Sequence, residues 1–225
     1  MNMNPKIRIA IDGPGGAGKS TIAKILAKDL GIDYVDTGAM YRAVAYKMQE
    51  NGIGMENRAG IDQMLPGTDI DFSDGDIILD GKIINDLIRT PEISKLASDC
   101  SALGSVREKL VALQKEMGSK KSIVMDGRDI TTNVLPDAEF KFYMTASKEE
   151  RAKRRHKELL EKGKETSYEQ VLADIEERDH NDMTRKLNPL KKADDATELD
   201  TTEMTIEEVC KFIIDMIQGG KHGNG

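Results

Sequence analysis

A glycine-rich segment near the start of the chain has the residue types and spacing of a phosphate-binding loop. Residues 13–20 read Gly-Pro-Gly-Gly-Ala-Gly-Lys-Ser and match the pattern G-x-x-x-x-G-K-[ST]. Glycines let backbone N–H groups approach phosphate oxygens, and the start of a following helix adds partial positive charge. An ordinary glycine-rich turn is the alternative, which an apolar strand before the segment and an amphipathic helix after it disfavour. The predicted ATP-binding residues are Gly13, Pro14, Gly15, Gly16, Ala17, Gly18, Lys19, Ser20 and Thr21.

Within this loop, two side chains are positioned to bind a nucleoside triphosphate and its metal ion. We expect Lys19 to bridge the β- and γ-phosphates and Ser20 to ligate Mg²⁺. Asp126 ends a predicted strand, where a carboxylate could hold the same Mg²⁺ or its waters. The loop alone therefore indicates triphosphate chemistry and leaves the acceptor open.

Arginines follow two predicted strands and favour a second anionic ligand. Arg42 follows the second strand, and Arg128 follows the strand that ends at Asp126. Open α/β sheets bind ligands at the carboxyl ends of their strands, so both arginines should face the site. The alternative for Arg128 is a surface ion pair with Asp126 or Asp129.

Two further groups of charges lie in the later part of the chain. Residues 151–157 carry five cations and no acid, early in a predicted helix whose dipole disfavours positive charge. We interpret this run as a lid over phosphates, with a solvated helix face and a nucleic-acid patch as alternatives. Arg178, Asp182 and Arg185 are spaced to share one helix face, where intrahelical ion pairing is the alternative to a ligand site.

Composition limits the partners and the compartment. The chain has 225 residues, 33 basic against 40 acidic, and a net charge of −7, which disfavours a dedicated nucleic-acid binder. It contains no apolar run long enough for a membrane span, and residues 1–5 lack the apolar core of a signal peptide. Cys100 and Cys210 lie far apart and are expected as buried thiols. We therefore expect a single-domain cytoplasmic protein.

The elements that must position these residues alternate between strand and helix. Strands are predicted at residues 6–11, 32–36, 122–126, 139–144 and 197–200, and helices at 20–30, at 39–50 and from Pro91 to about Gly118. Capping boxes at Ser147 with Glu150, Ser167 with Gln170 and Thr205 with Glu208 begin three later helices. Residues 65–85 interrupt this alternation, because they are predicted to form a small antiparallel meander. The pattern predicts an α/β fold with a parallel sheet covered by helices.

The motifs together resemble those of the bacterial-type cytidylate kinases, a family of P-loop nucleoside monophosphate kinases, from about Lys6 to Ile217. The resemblance rests on residues 11–20, 36–42, 88–90, 106–108, 126–129, 150–155, 178–185, 189–190 and 193–196, taken in order. Gly15 stands where serine or another small residue is frequent in the family. Three further positions depart from the residues that are commoner in the family, with Thr131, Asn133 and Leu135 in place of Gly, Val and Phe. In the family this loop lies beside the base of the acceptor nucleotide.

The resemblance implies a fold and assigns a function to each region of the chain. It implies a five-stranded parallel sheet of the P-loop type, flanked by helices, with an inserted small antiparallel monophosphate-binding domain and a helical lid. The expected boundaries are a core at 1–38, 86–147 and 168–219, a monophosphate-binding region at 39–85 with its β insert at 65–85, a lid at 148–167 and a disordered tail at 221–225.

The resemblance also implies a reaction in pyrimidine nucleotide metabolism and the residues that catalyse it and bind its substrates. The reaction is Mg²⁺-dependent transfer of the ATP γ-phosphoryl group to CMP or dCMP, by an enzyme that is mostly monomeric in the family. The implied catalytic residues are Lys19, Arg128, Arg154, Arg155 and Arg185. The implied CMP-binding residues are Thr37, Arg42, Ser98, Arg107, Arg128, Asp129, Arg178, Asp182 and Arg185, with Ser98, Arg107 and Asp129 as the cytosine readers.

Two rival hypotheses stay open at this stage. One is a kinase for another small acceptor, such as AMP, UMP or an alcohol, and an alcohol would need Asp126 or Asp129 as a general base. The other is a non-catalytic module that binds nucleotide without turnover. A phosphate acceptor is already a nucleophilic anion near neutral pH, so it needs cations rather than a strong base.

Overall fold

The computed structural model describes residues 6–73 and 75–222, in which the elements alternate largely as predicted. The strands are β1 (Arg8–Asp12), β2 (Asp33–Asp36), β3 (Ile70–Ser73), β4 (Asp76–Leu79), β5 (Lys82–Ile83), β6 (Ile123–Gly127), β7 (Phe140–Thr145) and β8 (Thr197–Asp200). The helices are α1 (Lys19–Leu30), α2 (Thr37–Glu50), α3 (Arg58–Met64), α4 (Pro91–Cys100), α5 (Gly104–Lys120), α6 (Lys148–Glu161), α7 (Tyr168–Thr184) and α8 (Ile206–His222). Short 3₁₀ and π-helical turns lie at Leu65–Gly67 and Ile130–Val134.

The chain divides into two compact units, residues 1–34 with 121–225 and residues 35–120. The main sheet has the strand order β2-β6-β1-β7-β8, and β2 spans the boundary between the units. β1 pairs in parallel with β6 and with β7, which places Asp12 beside Gly127 on one side and beside Tyr143 on the other. The five-stranded parallel sheet confirms the predicted fold class.

The core of the first unit explains why the loop after β1 is held firmly. The isoleucines of β1 are fully buried and pack with Ile22 and Leu26 of α1 and with Ile213 of α8. α1 ends at Gly31, whose positive φ of 64° and hydrogen bonds to the last carbonyls form the expected glycine cap. Both ends of the glycine-rich loop are therefore tied to a buried strand and a buried helix face.

The second unit contains the predicted meander as a three-stranded antiparallel sheet of β3, β4 and β5. Asp80 and Gly81, between β4 and β5, both have positive φ, as a tight primed hairpin turn requires. The helix predicted to continue from Pro91 to Gly118 is instead two helices, α4 and α5. At the break the Ser101 hydroxyl donates to the Ser98 carbonyl oxygen, and the N–H groups of residues 102 and 103 donate to carbonyl oxygens three residues back instead of four.

The later helices begin at the predicted caps. Ser147 and Ser167 each accept a hydrogen bond from the backbone three residues on, and Thr205 and Glu208 form the reciprocal box. α8 continues to His222, and the rest of the predicted disordered tail, residues 223–225, lies outside the described residues, as do residues 1–5. In the described part of the chain, no helix combines the length and apolar character that crossing a lipid bilayer needs.

Candidate functional site

The glycine-rich loop joins β1 to α1, and its geometry demands glycine. A Cβ on Gly13 would lie 1.9 Å from the Met144 carbonyl oxygen of β7, which is far inside contact distance. Gly18 caps α1 with a φ of 87°, a left-handed conformation that side chains disfavour. The backbone N–H groups at the start of α1 therefore border the loop, as the motif predicts.

Lys19, the lysine of the motif, is buried at the first position of α1 with 5% of its surface exposed. Its Nζ donates to the Pro14 carbonyl oxygen at 2.7 Å. Burial lowers the pKa of Lys19 to about 7, and the nearby Arg128 guanidinium lowers it further against the opposing pull of Asp126. A bound anion would favour the ammonium form of Lys19 and so oppose both effects on its pKa.

Ser20 and Asp126 meet at the ends of α1 and β6. The Ser20 hydroxyl donates to Asp126 Oδ2 at 2.9 Å, and the Tyr34 hydroxyl donates to Oδ1 at 2.8 Å. A hydroxyl beside a buried carboxylate is the oxygen donor set that Mg²⁺ takes when substrate phosphates supply the remaining ligands. These residues fit the predicted metal role.

A network of four charged side chains lies where β6 and α7 end. Arg128 Nε donates to Asp182 Oδ2 at 2.7 Å, and Arg185 reaches Asp182 Oδ1 at 3.8 Å and Asp129 Oδ1 at 3.2 Å. Burial opposes ionisation of Asp182, yet the charges of Arg128 and Arg178 hold its pKa below the usual value. Burial lowers the pKa of Arg128, but the neighbouring carboxylates, led by Asp182, together raise it by more, so the net shift is upward. The partner of Arg128 is therefore Asp182 rather than either expected neighbour.

The arginines of this network lie beside the glycine-rich loop. A methyl group placed on Gly15 would lie 3.5 Å from Arg128 Nη2 and 3.6 Å from Arg178 Cδ. Arg185 follows the last residue of α7 with an extended ψ of 142°, so it is not on the helix face that its spacing predicts. Its side chain nevertheless joins Asp129 and Asp182, which brings the predicted acceptor residues of this unit together.

The cationic run at 151–157 divides among different contacts. Arg154 donates to the Thr201 carbonyl oxygen at 2.7 Å and pairs with Glu150, while Arg155 pairs with Glu158 at 2.8 Å. Their proposed contact with the transferred phosphoryl group stays a prediction.

Arg151 is a residue that the sequence reasoning missed. It is buried at the start of α6 and donates to the Gly15 carbonyl oxygen at 2.9 Å, the Ala146 carbonyl oxygen at 3.0 Å and Asp179 Oδ2 at 2.6 Å. Arg151 thus links the phosphate-binding loop to α6 and α7. Membership of the cationic run was the signal in the sequence, and only the fold distinguishes Arg151 from the other cations of that run.

The second unit holds the remaining predicted acceptor residues. Asp36 caps α2 by accepting from the Ala39 N–H at 2.8 Å and pairs with Arg42 at 3.0 Å. Arg107 is buried on α5, with its guanidinium 5.8 Å from the centre of the Tyr41 ring. Thr37 begins α2, and Ser98 lies on α4, which packs against α2. The four residues Thr37, Arg42, Ser98 and Arg107 therefore all belong to this unit.

Comparison with known proteins identifies the family to which the chain belongs. The family described as cytidylate kinase matches residues 9–219. A cytidylate kinase of Clostridioides difficile (strain 630) is 50% identical over 93% of this chain and 97% of its own length. That of Carboxydothermus hydrogenoformans is 51% identical over 94% and 97%. A gluconokinase structure from Sinorhizobium meliloti 1021, at 12% identity, covers 97% of this chain and 95% of its own with a TM-score of 0.50, which supports the fold alone. The chain belongs to the cytidylate kinase family.

Proposed function

We propose that the chain transfers the γ-phosphoryl group of Mg-ATP to CMP or dCMP, giving ADP and CDP or dCDP. The observation that carries the proposal is the position of Arg128. It lies beside Gly15 of the phosphate-binding loop and connects, through Asp182, to Arg185. A donor-phosphate loop and an acceptor-side cation network thus meet in one compact unit, as transfer between two polyanions requires.

On the donor side, the loop N–H groups and Lys19 bind the β- and γ-phosphates. Ser20, with Asp126 directly or through water, would hold Mg²⁺, which would offset charge on the phosphate oxygens. Because Lys19 is buried, its positive charge acts in a medium of low polarity, where it stabilises the spreading charge of the transition state more strongly.

On the acceptor side, Arg128 and Arg185 hold the CMP phosphate, and Arg42 is a further contact of that phosphate. The acceptor phosphate is already ionised near neutral pH, so the guanidinium groups position it and offset repulsion instead of removing a proton. Arg178 and Asp182 contact the sugar, and Thr37 contributes a further acceptor contact. The pairing of Asp182 with Arg128 and Arg185 supports this role, because it orients both arginines before substrate binds.

Cytosine is read by Ser98, Arg107 and Asp129. Cytosine presents an amino donor at N4 and acceptors at N3 and O2, which suits a carboxylate acceptor, an arginine donor and a hydroxyl. Uracil reverses the pattern at positions 3 and 4 and leaves buried polar groups unpaired, so UMP is the poorer acceptor. The burial of Asp129 and Arg107 supports this role.

Residues 148–167 act as a lid whose closure brings Arg154 or Arg155 to the transferred group and excludes water. Residues 39–85 form the monophosphate-binding region, and residues 1–38, 86–147 and 168–219 form the core. The enzyme acts as a cytoplasmic monomer on free nucleotides, without nucleic acid or membrane as a partner.

The test of the proposal is acceptor use by wild type and by Arg185→Ala. Wild type should form ADP rapidly with CMP or dCMP, slowly with UMP and negligibly with AMP, and Arg185→Ala should lose turnover while still binding ATP. ATP binding with no turnover on any monophosphate would overturn the proposal in favour of a non-catalytic module.

A further inference from the structure

The turn that follows Asp129 is anchored to the end of β1. Asp12 is fully buried and accepts from the Ile130 N–H at 2.9 Å, the Thr131 N–H at 2.7 Å and the Thr131 hydroxyl at 2.6 Å. The Asp129 carbonyl oxygen in turn accepts from the Asn133 N–H at 2.9 Å. These three buried hydrogen bonds fix the start of the π-helical turn Ile130–Val134, which supports the residue before it.

Within that support, the Asn133 side chain holds the side chain of Asp129. Asn133 Nδ2 donates to Asp129 Oδ2 at 3.0 Å, while Arg185 Nη2 donates to Oδ1 at 3.2 Å. Each carboxylate oxygen therefore has its own donor, and the Asp129 side chain is only 7% exposed. An ionised carboxylate offers about four acceptor sites, so Asp129 can still accept from a ligand amino group.

We propose that Asn133 is a positioning residue that fixes the Asp129 carboxylate and thereby sets the discrimination between cytosine and uracil monophosphates. The inference rests on the proposed base-reading role of Asp129. A carboxylate in a fixed plane can accept a hydrogen bond from the N4 amino group of cytosine. The same carboxylate oxygen would repel O4 of uracil, because both atoms are acceptors. Asn133 does not touch the base in this proposal and acts only through Asp129.

The chemistry of the amide explains why asparagine suits this position. Leucine has a similar size but donates nothing, so it would leave Oδ2 without this partner and let the carboxylate rotate. Aspartate has the same shape but would place a second carboxylate about 3.0 Å from Asp129 Oδ2. The contact of Arg185 with Oδ1 would remain in either variant.

The experiment compares kcat/KM for CMP and UMP, with KM for ATP, in full-length wild type, Asn133→Leu and Asn133→Asp. Both variants should raise KM for CMP about tenfold, from loss of a hydrogen bond to a charged group. The ratio of CMP to UMP efficiency should fall by a similar factor, and KM for ATP should stay within about twofold. Thr132→Val, in the same turn, is the matched control and should leave the ratio unchanged.

The outcomes separate this inference from the function on which it rests. An unchanged CMP-to-UMP ratio in Asn133→Asp, while Asp129→Ala collapses it, would overturn the role of Asn133 and leave the base reader intact. An unchanged ratio in Asp129→Ala would overturn the base reader and this inference together. Equal losses for CMP, UMP and ATP in both Asn133 variants would reduce Asn133 to a structural residue and refute the proposal.

Discussion

Lys19 should take up a proton when ATP binds. Burial and the charge of Arg128 lower its pKa to about 7, so the neutral form of Lys19 should predominate in the nucleotide-free protein at pH 8. A bound triphosphate restores the ammonium, because the phosphate oxygens stabilise the charged form. We therefore predict net uptake approaching one proton per ATP at pH 8 and much less uptake at pH 6.

The sign of the linked pH effects differs between binding and folding. ATP affinity should fall as pH rises above about 7, by up to about tenfold per unit, because only the protonated lysine attracts phosphate. The nucleotide-free chain behaves oppositely. Its Lys19 has a folded pKa below the unfolded value of 10.5, so this group destabilises the fold below about pH 7, and that effect is relieved as pH rises toward 10.5.

Titration calorimetry measures the uptake directly. The binding enthalpy of ATP at pH 8 is recorded in buffers of low and high ionisation enthalpy, and its slope against buffer enthalpy is the number of protons taken up. Nearly all free ATP is fully ionised at this pH, so its own titration contributes little. Lys19→Arg is the control, because a guanidinium stays charged and should abolish the uptake. A slope near zero in wild type would refute the lowered pKa.

Three further predictions concern the network and the loop. Arg185→Ala should lower kcat/KM for CMP roughly 10²–10³-fold with an unchanged circular dichroism spectrum, and near-normal turnover would remove Arg185 from the site. Gly13→Ala should abolish ATP binding or folding, because its Cβ would meet the Met144 carbonyl oxygen at 1.9 Å; a tolerant variant would contradict that geometry. Arg151→Met should raise KM for ATP and lower Tm by several degrees through the lost bond to Gly15, and an unchanged KM would make Arg151 purely structural.

The elements around the phosphate-binding loop were predictable because their signals are local. An apolar strand, a glycine-rich loop and an amphipathic helix lie in one short stretch, and the glycine cap and the helix N-caps depend on neighbouring residues only. The same holds for the turn at Asp80-Gly81. Local spacing failed at the break between α4 and α5, where backbone hydrogen bonds to carbonyls three residues back replace those to carbonyls four back.

The partners of the site residues were less predictable because they are distant in sequence. Arg128 could pair with either adjacent aspartate by sequence, and it pairs with Asp182 on α7. Arg151 could not be told from the other cations of its run, since only tertiary packing turns it toward Gly15. The sequence thus predicts which charges are available, and the fold decides which of them meet.

The most direct test of the account is the initial rate of ADP formation from Mg-ATP with CMP, dCMP, UMP, AMP and no acceptor, measured side by side. Turnover should be fast with CMP and dCMP, slow with UMP and negligible with AMP or no acceptor. Turnover that favours UMP or AMP would contradict the assignment of Ser98, Arg107 and Asp129 as cytosine readers.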